Sequence, residues 1–219
     1  MQEAIMLKEE VLTYIENLIP DPQDYVKQIE VFAKENNVPI MEKTGIEVLL
    51  LLLSMQQPKK IVEIGTAIGY SAIRMALKLP NTEIITIELD EERFHQANLN
   101  IKEMGLEERI QALHGDALLL SEEINKYGPF DALFIDATKA KYTKFFKLYE
   151  PMLSSNGIIY TDNVLFKGTV ARDRSELKTR RQRTLVRKLD EFNHWLFTLD
   201  KYETTIIPVG DGIAVSKRK

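Results

Sequence analysis

From Lys59 onward, short apolar runs alternate with longer segments of helical period, and this alternation leaves few folds open. The runs are KIVEIG (60–65), EIITIEL (83–89), RIQALHG (109–115), FDALFID (130–136) and GIIYTD (157–162). Between them lie YSAIRMALKL (70–79), DEERFHQANLNIKEMG closed by Gly105, a segment near 117–126, and KYTKFFKLYEPML with a stop near Pro151. Strands separated by such helices predict parallel pairing, with helices on both faces of the sheet. A long charged helix is expected within 173–199. YETTIIPVG and GIAVSKRK follow, and the Gly-Asp-Gly between them signals a hairpin. The expected fold is α/β: a mostly parallel seven-stranded sheet with an antiparallel strand at one edge. EEVLTYIENLIP, DYVKQIEVFAKENN and about 43–55 read as three helices ahead of the first strand. The chain therefore reads as one domain, a helical extension over 1–57 and an α/β core over 58–219.

Between the first run and its helix stands VEIGTAIGYSA (62–72). Gly65 and Gly69 permit positive φ and close approach of backbone to a ligand. They could equally serve tight packing alone. Their spacing is G-x-x-x-G, not the dinucleotide fingerprint G-x-G-x-x-G, which argues against a pyrophosphate ligand and a dehydrogenase. Glu88 ends the second strand, 23 residues after Gly65. A carboxylate there can accept both hydroxyls of a ribose, or simply be a solvated strand-end acid. Asp90 is a candidate helix cap beside it. Asp116, in HGDA (114–117), can accept from an adenine amino group or cap the next helix. These features together suggest a nucleoside ligand.

Facing that ligand, Asp136 follows the apolar run Leu133–Ile135, and Asp162 and Asn163 follow Ile158–Thr161. All three fall at the carboxyl edge of a parallel sheet, where open α/β folds bind ligands. Neighbouring strands are ~4.8 Å apart, so three oxygen-bearing side chains could converge. Two adjacent carboxylates repel unless a cation lies between them, and all-oxygen donors suit a hard divalent ion such as Mg²⁺. The alternative is that these residues cap turns and the following helix.

Charge matters in one place. The chain carries −4 overall, yet KGTVARDRSELKTRRQRTLVRK (167–188) holds Lys167, Arg172, Arg174, Lys178, Arg180, Arg181, Arg183, Arg187 and Lys188. Only Asp173 and Glu176 oppose them. Such a strip either binds phosphates or is a solvated helix face. There is no cysteine, which excludes disulfides and thiolate metal sites and fits a reducing cytoplasm. MQEAIMLKEE is not expected to be a signal peptide, and VLLLLL (48–53) is far shorter than a membrane span.

In order along the chain, VEIGTAIGYSA, IELD, GDA, LFIDATKAKY, YTDNVLFKG and VGDGIAVSK resemble the cation-dependent, S-adenosylmethionine-using O-methyltransferases. That group contains the catechol and caffeoyl-CoA O-methyltransferases, and the resemblance covers about residues 40–219. It implies a Rossmann-like class I methyltransferase fold. It implies metal ligation by Asp136, Asp162 and Asn163, with Lys139 as base. Cofactor binding is implied for Glu63, Gly65, Ser71, Glu88, Asp116 and Asp136, with Met41 and Ala117 helping. The resemblance also implies a homodimer. One departure is Thr138, where the family often has a second acid. Within the family, the similarity extends to bacterial tRNA 5-hydroxyuridine methyltransferases. That implies an anticodon-loop partner, methylation of 5-hydroxyuridine to 5-methoxyuridine at the wobble position, and phosphate contacts by the strip from Lys167 to Arg183. Small catechols or caffeoyl-CoA-like phenols are the alternative acceptors, with Tyr142, Phe192 and Trp195 as candidate pocket walls.

Overall fold

The computed structural model describes residues 9–173 and 176–219. Its sheet is built on strands whose side chains are apolar on both faces. β4 (Phe130–Ile135) is the clearest case. Ala132 and Phe134 pack into one hydrophobic cluster and Leu133 and Ile135 into the other, as the two-residue period of a strand requires. β1 (Lys60–Ile64), β2 (Glu83–Glu88), β3 (Ile110–His114) and β5 (Leu153–Thr161) run parallel to it. β7 (Ile213–Arg218) pairs antiparallel with β5, and β6 (Tyr202–Ile207) lies outside β7. The order is β3-β2-β1-β4-β5-β7-β6, so the seven-stranded mixed sheet expected from sequence is present.

One layer is made by α2 (Asp24–Glu35), α3 (Lys43–Gln56), α4 (Tyr70–Lys78) and α5 (Glu91–Glu103). The other contains α7 (Tyr142–Tyr149) and α8 (Arg180–Phe197), with the short α6 (Ser121–Ile124) beside them. In the run of leucines, Leu49, Leu50 and Leu53 are buried and Leu51 is exposed, the pattern of a core helix. Among the described residues no helix is long and apolar enough to cross a membrane. α1 (Glu9–Leu18) precedes these and buries none of its residues.

Arg74 fastens α2 and α3 over α4. Its guanidinium pairs with Glu47 of α3 and lies 3.9 Å from Glu30 of α2, whose carboxylate also accepts from the Tyr70 hydroxyl at 2.8 Å. This clamp sets the position of the α2–α3 connection, which roofs the cavity described below.

Three details depart from the sequence expectation. β5 starts at Leu153 rather than 157, and a register irregularity between Phe130 and Ala132 absorbs the extra length. The helix near 117–126 shrinks to α6 plus one tight turn at Asn125–Tyr127. α8 begins at Arg180, not near 173. Thr179 accepts from the Gln182 backbone while the Gln182 side chain returns to Thr179, a reciprocal cap that fixes the start.

Candidate active site

The strand order reverses between β1 and β4, and a cavity of about 560 Å³ opens at that point, at the carboxyl ends of the strands. Register makes the tips flush. Ile64 pairs with Ile135 and Ile135 with Thr161. The Asp136 N–H donates to Ile64 O at 2.9 Å, and the Asp162 N–H donates to Ile135 O at 3.0 Å. Asp136, Asp162 and Asn163 consequently all line the cavity. Gly65 lines it too, at φ +107°, with its backbone against Asp136.

Both carboxyls feel the crowding. Burial holds Asp162 well above the usual carboxylate range, and the nearby Asp136 and Asp211 push it further. Burial likewise raises Asp136, helped by Asp211 and Glu88 and opposed by Lys139. Two acids that resist ionisation together, with a carboxamide oxygen beside them, have the donor chemistry of a hard divalent cation site. Among the described residues no three His, Cys, Asp or Glu side chains form a metal cluster, and the third oxygen beside the two acids is the Asn163 amide. Asn163 sits at φ +59° and directs Nδ2 at Asp162 Oδ2, 2.7 Å away. Its Oδ1 accepts from Lys139 Nζ. That ammonium also lies 5.8 Å from the centre of the Phe166 ring.

On the other side of Gly65, Glu88 lines the cavity and accepts from the Ala67 N–H at 2.7 Å and the Asp90 N–H at 2.9 Å. Those bonds aim the carboxylate and leave it further acceptor capacity. Asp90 itself caps α5 by accepting from the Arg93 N–H. Asp116 also lines the cavity. It accepts from the Leu118 N–H at 2.9 Å and from Lys141 Nζ at 3.1 Å, and these hold its carboxyl below the usual range. Met41 and Ala117 complete this end.

Glu63 and Ser71 are not among the lining residues. Glu63 is fully buried behind the glycine loop, accepting from Ser71 of α4 and Thr86 of β2. It ties three elements together beneath the loop. Burial pushes its carboxyl up to about 7, against the help of those two hydroxyls. The folded-state value lies above the ~4.3 of an unfolded chain, so the stabilisation is complete below about pH 4 and lost as pH rises through about 7. Glu63→Gln should therefore melt higher than the parent at pH 8, by roughly 3 kcal/mol in stability, and by only about 1 kcal/mol at pH 5. Thermal melts at both pH values check this; an equal offset at both would contradict it.

The basic strip is divided. Lys167 lines the cavity and lies 3.5 Å from Glu42 across its mouth. Arg172, Lys178, Arg180, Arg181 and Arg183 are exposed, and Arg174 lies outside the described residues. Tyr142 and Phe192 are buried in the core with rings 5.4 Å apart, and Trp195 packs on Phe146 at 5.1 Å. None of the three lines the cavity, whose one aromatic wall is Phe145.

Asp211 carries only a hairpin-turn signal in the sequence. It lines the cavity, accepts through its carbonyl from the Leu165 and Phe166 N–H groups, and through its carboxylate from the Lys167 N–H. The Asn163–Gly168 loop, with positive φ at Asn163, Phe166, Lys167 and Gly168, is thus held against the β6–β7 turn. An acid at a hairpin tip has no sequence signal separating this role from ordinary turn chemistry.

The lining acids Glu42, Glu88, Asp116, Asp136, Asp162 and Asp211 outnumber the bases Arg93, Lys139, Lys141 and Lys167. A model of a family described as O-methyltransferase matches residues 18–219. A caffeoyl-CoA O-methyltransferase of Stellaria longipes is 28% identical over 98% of this chain and 92% of its own length. A solved Staphylococcus aureus protein superposes with a TM-score of 0.87 at 32% identity, covering 96% of this chain and 98% of that one. An O-methyltransferase of Bacillus cereus, solved in complex with SAH, has a TM-score of 0.81 at 25% identity, covering 96% and 97%.

Proposed function

Because the chain belongs to the O-methyltransferase family, we propose that it transfers a methyl group from S-adenosylmethionine to a hydroxyl with a second oxygen beside it, in the presence of a divalent cation such as Mg²⁺. The observation that carries this reading is the convergence of Asp136, Asp162 and Asn163 on one wall of a cavity whose other wall holds Glu88 and Asp116. The SAH complex of the Bacillus cereus relative supports the choice of cofactor.

Each residue has a task. Glu88 accepts the ribose hydroxyls while its bonds to Ala67 and Asp90 keep it aimed. Asp116 accepts the adenine amino group, with Met41 and Ala117 as flanking walls. The cofactor, when bound, would supply a methyl group on a sulfonium, with the neutral thioether SAH as the leaving group. Asp136, Asp162 and the Asn163 oxygen would hold the cation, which would supply Lewis-acid polarisation of an acceptor hydroxyl. Lys139, hydrogen-bonded to the Asn163 oxygen, would first give up its ammonium proton to solvent and then, as the neutral amine, take the hydroxyl proton. The α2–α3 connection contributes Pro39, Ile40 and Met41 to the cavity lining. Orientation of acceptor oxygen, methyl carbon and sulfur then contributes several kcal/mol.

The favoured acceptor is a small phenol with adjacent oxygens, of the catechol or caffeoyl-CoA kind, in keeping with the Stellaria longipes relative. A second reading, 5-hydroxyuridine in a tRNA anticodon loop, draws on α8. Arg180, Arg181 and Arg183 crowd its first turn, which has no acid. Cations there oppose the helix dipole at a cost of ~0.3–1 kcal/mol each, which a phosphate ligand would offset.

Offering the purified protein catechol, caffeoyl-CoA and tRNA from cells lacking it, with and without chelator, tests both. Transfer to a phenol that chelator stops supports the first reading. Transfer to tRNA alone supports the second, and replacing the three arginines by alanine should then flatten the salt dependence of tRNA binding. Transfer unaffected by chelator would remove the cation from the mechanism.

A further inference from the structure

The turn that carries Asp162 and Asn163 leaves the sheet, so its backbone groups must find partners elsewhere. Beyond the bond to β4, the Val164 N–H donates to Gly212 O at 3.0 Å. The two carbonyls on either side of Asn163 are served by side chains. The Tyr142 hydroxyl, from the start of α7, donates to Asp162 O at 2.9 Å. Asn193 Nδ2, from α8, donates to Val164 O at 2.8 Å. Both side chains come from the apolar layer beneath the sheet: Tyr142 is fully buried and Asn193 is 8% exposed.

Stability alone does not account for this choice. Asn193 Oδ1 is the one buried side-chain polar atom without a partner among the described residues. A core that needed only filling would be better served by leucine or methionine at that position. The amide is kept where its Nδ2 fixes one carbonyl beside a non-glycine residue at positive φ. Asn163 adopts this conformation at a cost, and it persists only if the surroundings over-determine it.

We infer that Tyr142 and Asn193 are positioning residues, a two-point mount that holds the Asp162–Val164 turn so that Asp162 and Asn163 both face the cation site. The inference rests on the reading of Asp136, Asp162 and Asn163 as a cation site. Neither residue lines the cavity. Each acts through a backbone carbonyl next to a ligand, and loss of such outer support typically costs 10–100-fold in metal affinity.

Manganese binding, followed by the loss of free Mn²⁺ signal in electron paramagnetic resonance, tests it without turnover. The parent is expected to bind one ion. Tyr142→Phe removes a single oxygen and keeps the ring contact with Phe192. It should bind Mn²⁺ about tenfold more weakly while binding SAH as the parent does. Asn193→Leu removes the donor together with the unpartnered oxygen. It should show the same loss of Mn²⁺ affinity, and Asn193→Gln should recover part of it. A parent that binds no Mn²⁺ overturns the cation site and the mount together. A parent that binds, with both variants binding equally well, overturns the mount alone. Parallel loss of Mn²⁺ and SAH binding would mark general unfolding and also overturn it.

Discussion

Asp136→Ala should reduce methyl transfer by ~10³-fold or more, since it removes one of the three proposed cation ligands and several kcal/mol of electrostatic help goes with it. Two further outcomes separate this from misfolding. SAH affinity should stay near that of the parent, because Glu88 and Asp116 reach the other side of the cavity on β2 and the loop after β3. The metal-free variant should also melt no lower than the parent at pH 8. Asp136 and Asp162 are buried neighbours whose charges oppose one another, so deleting one relieves the other. A variant that is inactive because it has lost stability would contradict this account. So would one that keeps full activity in the presence of chelator.

Among the glycines Gly45, Gly65, Gly69, Gly105, Gly115, Gly128, Gly157, Gly210 and Gly212, alanine should be most damaging at Gly65. A Cβ there would lie 2.0 Å from the carbonyl oxygen of Asp136, and the backbone stands at φ +107°. The obstacle is backbone, so no rotamer change relieves it. The strand tips that bring Gly65 and Asp136 together would have to part, and the Asp136 N–H to Ile64 O bond would go with them. A loss of ~4 kcal/mol or more is expected, equivalent to roughly 10 °C in melting temperature for a domain of this size. Gly105→Ala is the control. It also has positive φ, but a Cβ there meets nothing within 4 Å, so only the ~1 kcal/mol conformational cost applies. Melting curves for the two variants should differ accordingly; equal losses would mean that the close approach at Gly65 has no energetic weight. Inactivity of Gly65→Ala would then reflect loss of the shared edge, not loss of a contact to cofactor.

Much of this arrangement is written locally. The alternation of apolar runs and helical periods determined the sheet, because a strand apolar on both faces needs helices on both. Acids placed directly after those runs had to emerge at the carboxyl edge, so Asp136, Asp162, Glu88 and Asp116 were legible as a site. The Thr179–Gln182 cap was also present in the sequence as T-x-x-Q, and it divides the basic strip between a loop and α8.

Other assignments depended on which elements meet across long separations. Glu63 and Ser71 belong to the glycine motif by sequence, yet α4 and β2 close around Glu63 and leave both behind the loop. By sequence Phe192 and Trp195 are candidate pocket aromatics, and the packing of α8 on α7 buries Phe192 and half-buries Trp195 instead. Asp211 lies 49 residues beyond Asp162 and reaches the same cavity only because β7 pairs with β5. Tyr142 and Asn193 gain a possible role only where α7 and α8 pass beneath one turn. Periodicity and capping are local, so the sequence by itself determined the elements and the edge on which chemistry could occur. Which side chains reach that edge depended on register and helix packing, contacts between residues far apart in the chain, and these only the tertiary structure decided.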